Sequence, residues 1–138
     1  MEINIEWLQA CNNMRSAIEQ SQELLNKMET PYLTDLGLVP TLHKMLQEYL
    51  ANVEPYMAIR AEILILVYLY APARLASQRH GRGKNKILTE IANGIGISNS
   101  SLYVYKTHLM QHYRLYRDFR DVVDDGIRKV KNEYPMQV

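Results

Sequence analysis

Three short polar side chains, Ser98, Asn99 and Ser100, stand at the start of an apolar-periodic stretch, and Tyr103, Lys106 and Thr107 follow one turn on. They offer hydroxyls, a carboxamide and an ammonium from one short arc of chain. Asn99 has the widest repertoire, because a carboxamide donates and accepts at once and so can pair bidentately with a partner that does the same. Just upstream, RLASQRHGRGKNK carries Arg74, Arg79, Arg82, Lys84 and Lys86 around two glycines, and no acidic residue lies between Ile63 and Lys86. A glycine-interrupted cationic run reads as a loop or arm suited to anionic oxygens. The rest of the chain is charged differently: Met1 to Glu62 has 4 basic and 9 acidic residues, and the formal net charge is only +1.

The spacing around the polar cluster says what must hold it. Ile91 and Ile95, four apart, share one face of a short helix, and Ala92 is small enough for a second helix to cross closely. Gly96 ends that helix where a sharp turn needs a left-handed backbone. Ile97 plugs the turn, Ser98 is placed to cap the next helix, and Leu102 and Tyr105 give that helix its inward face. Gly94 stands out as a second glycine inside the first helix, weakening it by about 1 kcal/mol relative to alanine.

With those positions in place, Ile87 to Leu109 resembles the helix-turn-helix of bacterial and phage DNA-binding proteins, over about twenty of the 138 residues. The resemblance implies a recognition helix that starts at Ser98, Asn99 and Ser100 and carries Tyr103, Lys106 and Thr107 one turn on. Duplex DNA is the implied partner. Asn99 would read adenine, Lys106 would reach guanine or a phosphate, and Ser98 would position the helix. Arg79, Arg82, Lys84 and Lys86 would run along the backbone or enter a minor groove. Two uses fit this plan: a transcription regulator acting as an oligomer on paired half-sites, and a packaging or assembly component similar to phage small terminase subunits. A structural, protein-docking hairpin is the third reading.

Helical periodicity extends through the remainder, which predicts an all-α protein. Asn4 to Met28 carries Trp7, Cys11, Met14, Ile18, Leu25 and Met28 on a heptad-like stripe. Glu29 to Val39 reads as a loop. Pro40 opens a second helix, with Leu42, Met45, Leu46, Tyr49 and Leu50 inward, and Pro55 a third whose later half is apolar on all sides. The expected organisation is an N-terminal helical region (1–72), a basic loop (73–86), the helix-turn-helix (87–109) and a C-terminal helix (110–138) in one compact domain. With no glycine from Ile97 to Asp125 and no proline before Pro135, the second helix of the motif is expected to run on unbroken. Along it, Tyr116, Phe119, Val123, Ile127 and Val130 are expected to form the seam of a homo-oligomer.

Other chemistries find little support. His108 and His112 have i, i+4 spacing, but no cysteine or carboxylate in register completes a metal site. Asp124 and Asp125 point to different sides of a helix, GRGKNK lacks the spacing of a nucleotide-binding loop, and of the clustered tyrosines only Tyr103 is placed to face DNA. No nucleophile, base and orienting group can be assembled, so the chain reads as non-enzymatic and without a cofactor. The apolar run Ile63 to Tyr70 is far short of the roughly 20 residues that span a bilayer. A single cysteine, Cys11, and no leader-like N-terminus give the expectation of a cytoplasmic protein.

Overall fold

The computed structural model describes residues 4–29, 31–76 and 86–135; the protein is all-α, with no strand among the described residues. No helix among them is long and apolar enough to cross a membrane. Where the sequence predicts one compact domain, the chain divides into two units, Met1–Thr30 and Pro31–Val138. The first is a single helix, α1 (Ile5–Glu29), started by Asn4, whose Oδ1 accepts from the Trp7 amide at 2.9 Å.

The second unit begins with a 3-10 turn (Leu36–Leu38) that Asp35 caps by accepting from the Gly37 amide, and the turn runs directly into α2 (Val39–Tyr49). Pro40 lies in the first turn of α2 and Pro55 opens α3 (Pro55–Tyr70), positions where a missing N–H costs nothing. The Glu54 carboxylate takes the next two amides, from Tyr56 and Met57. Then follow the single turn α4 (Ala73–Ala76), α5 (Lys86–Ile95), α6 (Asn99–Leu115) and α7 (Arg117–Glu133).

Helix α3 is the axis of this unit. From Ala61 to Tyr70 only Tyr68 is exposed, and α2, α5, α6 and α7 all pack against it. Their contributions are Leu42 and Leu46, Leu88 and Ile91, Leu102 and Leu109, and Phe119, Val123 and Val130. Each such side chain stabilises the fold by about 1.5–3 kcal/mol on burial. The C-terminal end of α3 is tied by hydrogen bonds, Tyr70 Oη to the Asp35 carbonyl at 2.7 Å and the Leu33 amide to the Leu69 carbonyl at 3.0 Å.

The continuous C-terminal helix is not found. The helix breaks at Tyr116, whose backbone is extended (φ −114°, ψ 108°), although neither glycine nor proline is present. What stabilises the break comes from the following helix: the Arg120 guanidinium donates to the carbonyls of Tyr113 and Arg114, which the end of α6 would otherwise leave unpaired. Tyr113 in turn donates to Asp124 at 2.7 Å. The apolar stripe therefore folds back on α3 instead of running past it. This corrects the expected oligomer seam: Phe119, Val123 and Val130 are buried within the chain, Ile127 is half-buried, and only Tyr116 is exposed. Arg114 and Asp118, four apart in the sequence, fall on either side of the break, and Asp125 pairs with Arg128 at 2.8 Å.

Among the described residues, one ionisable side chain lies in the core. Glu62, on α3, is buried and bonds His43 Nδ1 of α2. Burial pushes its carboxyl above the usual range, opposed by the hydrogen bond and charge of His43.

Two expectations follow. Phe119→Ala should cost about 3–5 kcal/mol in urea denaturation, and Phe119→Glu should unfold the chain rather than release folded subunits. Because the carboxyl of Glu62 binds its proton more tightly in the folded state, its contribution to stability is greatest at acid pH and is lost as pH rises above the ordinary value of 4.5. His112, depressed by burial, acts with the opposite sign just below 6.5. The difference between wild type and Glu62→Gln isolates the first effect: the glutamine variant should gain stability relative to wild type from pH 4.5 to 7.

Candidate nucleic-acid interface

The hairpin of α5 and α6 is built from a buried stripe on each helix and a turn that closes on itself. Leu88, Ile91, Ala92 and Ile95 form the inner face of α5, and Ala92 leaves room for the crossing helix. At its C-terminus the Ile97 amide bonds the Ala92 carbonyl at 3.0 Å and the Gly96 amide bonds the Asn93 carbonyl at 3.3 Å, the double closure of a Schellman turn. Gly96 has φ 78°, as the sequence predicts, and nothing approaches the place a Cβ would occupy, so the demand for glycine is one of backbone alone. Gly94 has a different reason. A Cβ there would overlap the side chain of Val39, so this glycine lets α5 lie close against the start of α2.

Ser98 caps α6: its Oγ accepts from the Ser101 amide at 3.1 Å and donates to the Ser101 hydroxyl at 2.9 Å. Beyond it the helix has two clear faces. Leu102 and Leu109 are fully buried, and opposite them Ser100, Val104, Thr107, His108 and Gln111 form an exposed strip at steps of three and four, with Val104 66% exposed. Tyr103 and Lys106 flank the strip, each half-buried, and the Thr107 hydroxyl donates back to the Tyr103 carbonyl.

Asn99 does not stand on this strip. Its Nδ2 donates to Thr89 Oγ1 of α5 at 3.0 Å, and its Oδ1 is buried with no hydrogen-bond partner among the described residues. The carboxamide that the sequence singles out as the best base reader is instead a clasp between the two helices of the hairpin. Val104 and Gln111, which the sequence reading passes over, take the displayed positions. Counting fours and threes from Ser100 would have found them.

The electrostatics of the hairpin are one-sided. Between Ile63 and Arg117 there are 8 basic residues and a single acid, Glu90, which is exposed on α5. The Lys106 ammonium is depressed by burial and, secondarily, by the positive charge of Arg74. Arg60 of α3 stacks on Tyr56, 3.3 Å from the ring centroid, and lies 4.9 Å from the ring of Tyr105. Lys86 is exposed at the start of α5; Arg79, Arg82 and Lys84 lie outside the described residues. His108 and His112 stack at 6.4 Å, and no group of three metal-ligating side chains occurs among the described residues.

Gly96→Ala should lower stability by about 1–2 kcal/mol, measured by thermal or urea unfolding. Gly96→Asn should recover part of that loss, because asparagine tolerates the left-handed backbone and meets no neighbour there. Compared with known proteins, the chain matches no family profile, and no match was found among curated proteins or solved structures.

Proposed function

We propose that the protein binds duplex DNA, with α6 as the recognition helix. The observation that carries this reading is the exposed strip from Ser100 to Gln111, displayed on a helix whose opposite face is fixed in the core and set in a segment with eight cations and one acid. An α-helix fits the major groove, where hydroxyl and carboxamide groups meet base edges and an exposed Val104 offers methyl groups to thymine. Lys106 and Arg74 repel one another, and a phosphate between or beside them would relieve that repulsion. The basic run before α5 supplies further charge for the backbone, which positions a recognition helix without specifying sequence.

A duplex titration by fluorescence anisotropy across salt concentrations tests the proposal. The wild type should bind more weakly as salt rises. Val104→Glu with Thr107→Glu, two exposed changes that leave the core intact, should abolish binding at any salt. Replacing Arg79, Arg82 and Lys84 together with alanine should flatten the logarithmic salt slope by about 0.9 for each phosphate no longer neutralised. No salt-dependent association at low ionic strength would reduce the hairpin to a structural or protein-docking element.

A further inference from the structure

Arg60 of α3 is a cation that the chain holds in place without neutralising. Its guanidinium lies 3.3 Å from the ring centroid of Tyr56 and 4.9 Å from that of Tyr105 on α6, and Nη1 donates to the Tyr56 carbonyl at 2.9 Å. Among the described residues no carboxylate comes within ion-pair distance of it. A guanidinium has five N–H donors in a rigid planar fork, and one such bond leaves most of that capacity for an outside acceptor. The acids beside it in sequence are committed elsewhere: Glu62 is buried against His43, and Glu54 caps α3 through both carboxylate oxygens.

On α6 the neighbouring side chains are basic or aromatic. His108 is exposed and stacks with His112 at 6.4 Å, and the His112 imidazole is held below its ordinary range by burial, then by the charges of Arg60 and His108. At 3.6 residues per turn, Tyr105, His108 and His112 edge the exposed strip of α6 on one side. Tyr103 and Lys106 edge it on the other, where Arg74 adds to burial in depressing the Lys106 ammonium. The strip is thus bordered by cations on both flanks. A helix in a major groove meets that pattern of charge, because a phosphate backbone runs along each side of the groove.

We propose that Arg60 binds a backbone phosphodiester of duplex DNA, on the flank of α6 opposite Lys106 and Arg74. The contact rests on the reading of α6 as a recognition helix and adds to it a residue from outside the hairpin. A planar fork of donors matches two phosphate oxygens at once. The rings of Tyr56 and Tyr105 fix that fork beforehand, so little side-chain freedom is lost on contact. Carboxylates of an acidic peptide would satisfy one flank; the two backbones of a duplex satisfy both.

Fluorescence anisotropy of the full chain with labelled duplexes, repeated across salt concentrations, tests the contact. Arg60→Gln should weaken binding alike for duplexes of unrelated sequence and flatten the logarithmic salt slope by about 0.9. Arg60→Lys restores the charge and should recover the slope. Arg128→Gln, which removes a charge from an exposed position on α7, should bind as the wild type does. Dicarbonyl labelling of the wild-type arginines, read by mass spectrometry, depends on no variant: duplex should protect Arg60. A wild-type slope in Arg60→Gln, a slope that Arg60→Lys fails to recover, equal flattening by Arg128→Gln, or an Arg60 labelled equally with and without duplex would each overturn the contact and leave α6 as the reader. Protection of Arg60 by polyglutamate and not by duplex would overturn it in favour of an acidic protein partner. A wild type with no salt-dependent duplex binding overturns the reading of α6 and this contact together.

Discussion

Enclosing α3 is the constraint from which the rest of the second unit follows. A helix apolar on nearly every side exposes surface in whatever direction it is left uncovered, and each direction is closed by a different neighbour: α2, α5, α6 or α7. The break at Tyr116 belongs to the same constraint. An uninterrupted helix from Asn99 to Glu133 would be about 50 Å long at 1.5 Å per residue, roughly twice the length of α3. Two helices of 17 residues, each near the length of α3, can both lie against it.

The hairpin inherits its rigidity from this arrangement. Its inner stripes are part of the core around α3, Gly94 presses α5 against α2, and Asn99 fastens α6 to α5 through Thr89. The displayed strip on α6 is therefore held by packing and by a hydrogen bond, and the only residue between the helices that requires a special backbone is Gly96. A helix fixed in this way has little main-chain freedom left to lose, which would favour affinity for whatever its outer face binds.

What the sequence made legible was local. Pro40 and Pro55 mark helix starts, Gly96 and Ser98 mark the turn and the cap, and the apolar run on α3 announces its own burial, because each depends on the residue and its immediate neighbours. What escaped was tertiary. The break at Tyr116 depends on a guanidinium from the following helix, the need for Gly94 comes from Val39 far upstream, and Asn99 is turned inward by Thr89. Periodicity showed that Phe119, Val123 and Val130 share a buried face, but an apolar face has no mark of whether its cover is in the same chain. The basic residues Arg79, Arg82 and Lys84 remain a reading from sequence.

The pair formed by Glu62 and His43 has a consequence for the uniqueness of the packing. A rod of Ile, Leu and Val has nearly equivalent ways to sit among its neighbours, because rotating it about its axis replaces one aliphatic neighbour with another. Glu62 removes that degeneracy. Its carboxylate meets a hydrogen-bonding partner when it points at the half-buried His43, and an azimuth of α3 turned toward the other helices would strand it among hydrocarbon. A group that is costly to bury thus indexes the rotation of the central helix, and with it the direction in which α6 faces outward.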